Sequence, residues 1–234
     1  MGLEACCGSV AKTTRTPSTT DALLWSPHLN PASAAEARAL QVPFTSPFDV
    51  VLLQAGGSPK QATISDCNTY FELRPKGYEP LSQPDLAAMK IEGANCFAVR
   101  AVQNGRPSNA RPIRPFLVGQ RTLARLPPAL GPQPNPTDAA RRKRATASGM
   151  SWATTDPAAI LTVTDEWTAR VKGPDWITDL SVLVQGDLNG DGVDDVLVET
   201  ISAGMEGSWS EVRLRLLTSV PNQDVLEILE EFAL

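Results

Sequence analysis

Histidine is nearly missing: the 234 residues contain one, His28, set between Pro27 and Leu29. A Ser-His or Cys-His nucleophile system would have to use it, and no carboxylate close by in the sequence offers to orient an imidazole. Also absent are a Gly-rich phosphate loop, a His-rich metal cluster and a Cys-x-x-Cys pair, which removes the commonest sequence grounds for nucleotide, zinc or dithiol chemistry. No apolar run approaches the roughly 18 residues of a membrane-spanning helix. Membrane association is therefore expected only through a lipid anchor or a partner. Aromatic residues make up 6% of the chain, and its basic segment lacks the interleaved aromatics that single-strand nucleic-acid binding uses. These absences point to a protein that is not an enzyme and does not bind nucleic acid.

What is present is ordinary in amount and uneven in placement. Hydrophobic residues account for 42%, enough to bury a core. Residues 1–97 carry 7 basic and 9 acidic side chains, 98–146 carry 10 and 1, and 147–234 carry 4 and 16. The basic middle is expected to lie against the acidic C-terminal part or to stay solvated. Four cysteines form two unlike pairs. Cys6 and Cys7 are adjacent, whereas Cys67 and Cys96 stand in a well-patterned segment. A bridge between the latter two would close a loop worth about 3–4 kcal/mol and would suit an exported protein. The alternative is a pair of buried free thiols.

The expected fold is α+β, with an N-terminal mixed helical region, a Pro-rich linker and a C-terminal antiparallel β-sheet module. Residues 1–20 read as a flexible tether. Leu3-Glu4-Ala5-Cys6 resembles the end of a bacterial lipobox, which would make Cys6 a lipidation site, although Glu4 departs from the small residue usual there. A myristoylated Gly2 with palmitoylated Cys6 and Cys7, or an unmodified terminus, are the alternatives. Residues 21–126 form an α+β region. It has a short helix at 31–41 behind Asn30, a strand over Phe48–Leu53 ended by Gly56-Gly57, and a strand-or-loop stretch at 63–73. A helix over 82–102, capped by Ser82, is expected to break at Gly93, and a short edge strand is expected at 113–118. Residues 127–150 read as a Pro-rich, basic linker, extended over 127–136 where prolines crowd it. Arg141–Arg144 within it could be a nucleic-acid patch, a processing site or a solvated helical turn. From 151 to 234, apolar runs at 160–163, 167–171, 180–184, 196–200 and 211–217 read as strands, and a last one is expected in 224–232. In 211–217, alternation places Val212, Leu214 and Leu216 on a core and Arg213 and Arg215 in solvent.

The clearest chemistry lies between two of these strands, in Asp187-Leu188-Asn189-Gly190-Asp191-Gly192-Val193-Asp194-Asp195. Oxygen side chains at alternate positions, a glycine sixth and an Asp ninth suit a hard cation held by a short coil. The expected ligands are the side chains of Asp187, Asn189, Asp191 and Asp195 with the carbonyl of Val193, and Gly192 permits the sharp turn. The twelfth position, where an EF-hand places a bidentate Glu, holds Val198. The loop resembles the calcium loop of FG-GAP and VCBS-type repeats, and more distantly that of dockerins. The likeness covers about a dozen residues and implies Ca²⁺ at those positions; no repeat at a fixed period supports a propeller. Outline features also resemble bacterial lipoproteins of the immunity type. That likeness implies a calcium-binding periplasmic or extracellular protein that docks on another protein, plausibly a secreted toxin. On this reading the acidic stretches 187–195 and 206–211 form one contact face. The alternative is a hydrolase or carbohydrate-binding accessory domain, for which Trp25, Trp152, Trp167, Trp176 and Trp209 could supply a platform.

Overall fold

The computed structural model describes residues 24–27, 29, 40, 42–52, 58–105 and 118–234. The tether with Cys6, the helix at 31–41 apart from Leu40, the glycines at 56–57 and all but the last residue of the strand at 113–118 lie outside them, as does His28. In chain order the described elements begin with β1 (Leu24–Trp25), β2 (Pro43–Leu52), β3 (Lys60–Asp66), α1 (Cys67–Leu73) and α2 (Gln83–Asn104). After them come α3 (Thr122–Arg125), a 3-10 turn (Pro128–Leu130), α4 (Pro136–Ala147) and α5 (Trp152–Thr155). Six strands close the chain: β4 (Ile160–Val163), β5 (Thr168–Lys172), β6 (Trp176–Gly186), β7 (Asp195–Gly204), β8 (Ser210–Thr218) and β9 (Glu227–Phe232). The fold is α+β.

The six strands follow one another in sheet order β4-β5-β6-β7-β8-β9, every pair antiparallel. Connections this short cannot cross a sheet, so a meander is the only arrangement open to them. One edge of β6 is shared: β5 pairs with Ile177–Ser181 and β1 with Val184 and Gln185. Between those two stretches the register slips, because Val182 faces Val198 but Val184 faces Leu197. Leu183 is the extra residue of a β-bulge, and one extra residue exchanges the two faces of a strand. Leu180 and Val182 accordingly pack on one face with Trp152, Leu126 and Leu130, while Leu183 and Val184 pack on the other with Ala94 and Ala98 of α2.

Both faces of the sheet centre are thus covered. The long helix α2 lies on one, and α3, the 3-10 turn and α5 lie on the other. The opposite side of α2 closes a second core with the β2–β3 hairpin and α1, in which Met89 and Cys96 meet Phe48, Val50, Ile64 and Tyr70. Phe97 borders both cores and stacks near Phe232 at 4.8 Å.

Several details depart from the sequence reading. The 63–73 stretch is the end of β3 followed by α1, started by a capping box in which Asp66 accepts from the N–H of Thr69 and the Thr69 hydroxyl accepts from that of Asp66. Helix α2 runs unbroken through Gly93. A Cβ there would collide with the Tyr70 ring, so this glycine serves close packing and does not mark a stop. The 127–150 stretch, expected as a linker extended over 127–136, holds a 3-10 turn with Pro128 and Leu130 buried and a 12-residue helix that Asn135 caps. Pro128 and Pro136 stand at the first positions of these two elements, where a missing N–H costs nothing. Arg142 on α4 is 1% exposed, not solvated: it donates to the carbonyls of Pro132 and Pro128 and pairs with Asp156 at 2.6 Å. Arg215 is likewise 1% exposed and bonds Glu231, because both faces of β8 are covered near its middle.

Cys67 and Cys96 form the disulfide, joining the first residue of α1 to α2 with Cα atoms 5.2 Å apart. Replacing both by alanine is expected to lower the unfolding free energy by about 3–4 kcal/mol in urea titrations, and reductant should do the same to the wild type. Gly93→Ala should cost about 1–3 kcal/mol by forcing Tyr70 aside, read in the same titrations.

Candidate metal loop

The β6–β7 connection leaves the sheet at the Gly186–Asp195 pair. Strand pairing up to that point brings the two ends of the acidic loop together, with Asp187 and Asp195 both buried at its neck. Gly190 and Gly192 adopt φ of +85° and +87°, a conformation in which a Cβ is strained. With those two turns the coil wraps its own side chains. Asp187 accepts from the N–H groups of Gly190 (2.7 Å) and Gly192 (3.1 Å), and Asn189 accepts from that of Asp191 (2.9 Å). Asp191 accepts from the Val193 N–H (2.8 Å) and from the Asn189 amide (2.9 Å), and Asp195 Oδ2 accepts from the Leu188 N–H (3.1 Å).

All five positions expected to ligate a cation therefore belong to one compact coil. Their oxygens are turned onto backbone donors, which is how three carboxylates in one short loop are tolerated. Among the described residues no group of three or more His, Cys, Asp and Glu side chains is gathered around a common point as a metal cage. One oxygen is left over. Asp195 Oδ1 is buried with no hydrogen-bond partner, in a residue that is 0% exposed. Burial pushes the Asp195 carboxyl up to about 6; the Thr218 hydroxyl, which lies opposite on β8 without closing a hydrogen bond, and the Leu188 N–H hold it down, while the charge of Asp191 raises it.

A second buried carboxylate escaped the sequence reading. Glu199 lies on β7 between Ser181 and Leu214, on the face that α2 covers, and is 6% exposed with Oε1 unpartnered. Its signal was a single acid inside the otherwise apolar run Val196–Thr200. Burial first, and the charge of Glu92 on α2 second, push Glu199 up to about 7.

The two acidic stretches expected to share a face do not. The 187–195 loop precedes β7 and residues 206–211 follow it, so they sit at opposite ends of a 10-residue strand, roughly 30 Å apart at ~3.3 Å per residue. Glu211 is moreover committed to Arg213 and to the N–H of Gln133. Of the tryptophans with described side chains, Trp152 and Trp167 are buried core residues, while Trp176 and Trp209 are half-buried. Compared with known proteins, the chain matches no family, no curated protein and no solved structure.

The pH dependence of stability follows from Glu199. Between its ordinary value of 4.5 and about 7, the folded protein holds a proton that the unfolded chain has released, so stability falls as pH rises through that window. Glu199→Gln should match the wild type near pH 4 and exceed it by about 1–3 kcal/mol at pH 8, measured by urea unfolding at both pH values.

Proposed function

We propose that this chain is a non-enzymatic, calcium-binding protein of the cell envelope that docks on another protein, in the manner of an immunity protein that neutralises a periplasmic toxin. The observation that carries the calcium part is the buried, unpartnered Oδ1 of Asp195. An ionised oxygen there loses its hydration, and a bound cation would supply the compensating charge. The rest of the coil fits the same role. A carboxylate oxygen has about two lone-pair sites, so the N–H groups that Asp187 and Asp191 already hold leave acceptor capacity on each. Asp187, Asn189, Asp191 and Asp195, with the carbonyl of Val193, would hold the ion. Bound Ca²⁺ would supply positive charge and cross-link the neck of the β6–β7 hairpin, a structural clip with no part in bond-making.

The disulfide between Cys67 and Cys96 supports an oxidising compartment, periplasmic or extracellular, since such bridges persist there and are rare in the cytosol. Lipid attachment at Cys6 belongs to the same proposal.

Calorimetric titration with Ca²⁺ should give one site in the wild type and none in Asp191→Ala. At free Ca²⁺ of about 100 times Kd the ion should add about 2.7 kcal/mol to stability, seen as a higher Tm in Ca²⁺ than in chelator. An unchanged Tm on chelation would sink the calcium reading. Failure of the Ca²⁺-loaded protein to retain any stoichiometric protein from envelope extracts would sink the docking reading.

A further inference from the structure

At the end of the sheet away from the acidic loop, a cleft of about 670 Å³ opens between α4, the Pro132–Pro134 segment and two hairpin turns. The two turns are fixed to each other by the Met205 N–H, which donates to the Asp175 carbonyl at 2.9 Å, and the β7–β8 turn is itself closed by the Gly204 N–H donating to the Trp209 carbonyl at 3.1 Å. The proline segment is fixed to β8 through the Gln133 N–H and Glu211. Gly173 lets the Trp176 ring fold back over the β5–β6 turn, because a Cβ at that position would enter the indole. The ring stacks on Trp152 with centroids 6.1 Å apart. Trp176 and Trp209 are half-buried in the lining, and Met205 is one of the few large apolar side chains left exposed.

The charges of the lining divide into spent and unspent. Arg142 is held by Asp156 and two carbonyls, and Arg141 by Asp156 (3.3 Å) and Asp138 (3.5 Å). Both guanidiniums and two of the carboxylates are thereby used. Asp175 and Glu206, both exposed, have no hydrogen bond or ion pair from their side chains among the described residues. The cleft therefore offers a ligand two free carboxylates, indole surface and a thioether, and no free cationic donor. An anion would meet net negative charge. A cation on an alkyl stem would meet a counter-charge at its head and apolar surface along its length, with the attraction of indole rings for cations added.

We infer that this cleft receives a lysine or arginine side chain from an exposed segment of the docking partner. The inference rests on the protein-docking reading above and gives it a surface: the contact forms through the Glu206 end of the sheet, and the calcium loop is remote from it. The volume lies within the ordinary range of ligand clefts and accommodates one long side chain with its flanking backbone. Partner charge complementary to Asp175 and Glu206 would also speed the encounter and make it sensitive to salt.

The test uses acetylated, amidated tripeptides Gly-Arg-Gly and Gly-Lys-Gly, with Gly-norleucine-Gly, Gly-Glu-Gly and chitotetraose as comparisons, titrated into the full ¹⁵N-labelled chain. The Arg and Lys peptides should shift the indole N–H signals of Trp176 and Trp209 saturably and leave Trp167, at the far end of β5, unmoved. Raising NaCl from 50 to 300 mM should weaken them several-fold. The exposed changes Asp175→Asn and Glu206→Gln, which disturb no packing, should together lower affinity at least tenfold, and Trp209→Ala should abolish the shifts with the remaining spectrum preserved. Equal binding of the norleucine peptide, unchanged affinity in the double variant, or shifts of the two indoles by chitotetraose but not by the cationic peptides would each overturn the inference. If a partner retained from envelope extracts stays bound to the Asp175→Asn, Glu206→Gln protein, the docking reading stands and this inference alone fails.

Discussion

The constraint on which the rest of the structure depends is burial of the central strands from both sides. Antiparallel sheets commonly leave one face to water, but here α2 covers one face of β6 and β7, and the α3–α5 segment covers the other. The Leu183 bulge shifts the alternation within a single strand, so that Leu180 and Val182 face one core while Val184, two residues further on, joins Leu183 in the other. The helices then follow from the sheet. Ala94 and Ala98 let α2 approach closely, and Gly93 gives the other side of the same helix room for Tyr70.

Two-sided burial also explains where charge becomes costly. Arg215 and Glu199 sit where a one-faced sheet would have offered solvent, and Arg142 lies buried on α4 among Pro128, Pro132 and Asp156. Each buried arginine is held by carbonyls or a carboxylate, because an unpaired buried charge is the expensive case; its environment pulls its pKa below the ordinary arginine value, through burial first. Glu199 has no such partner and takes up a proton instead. Asp195 is partly served, with the Leu188 N–H on Oδ2 and Oδ1 left without a bond. Function, on the reading advanced above, occupies the strand ends that this packing leaves free: a clip at the Asp187 end and a contact cleft at the Trp209 end.

Much of the fold was legible in the residues. Short apolar runs separated by turn residues identified the meander, Ser82 announced α2, and the spacing of the cation-type loop placed five candidate ligands in one coil. The hidden parts share a physical cause. Arg213 and Arg215 alternate with apolar residues as solvent-facing side chains would, and nothing in β8 itself announces that Glu231 of β9 will pair with both. Gly93 looks like a helix breaker until Tyr70 is known to lie against it. The prolines of 127–136 forbid long regular structure, yet they are compatible with a 3-10 turn and a helix start, which local rules cannot tell from a linker.

The sequence alone therefore determined what depends on neighbours a few residues away. That includes the strand periodicity, the cap at Ser82, the glycines that turn the 187–195 coil, and the supply of side-chain oxygens within it. Only the tertiary structure decided what depends on residues far apart in the chain: the Cys67–Cys96 bridge, the burial of Arg142 and Glu199, the unpartnered oxygen of Asp195, and the meeting of Trp176, Trp209, Asp175 and Glu206 around one cleft. The reason is that desolvation and free valence are properties of an environment, and an environment exists only once separate segments have packed together.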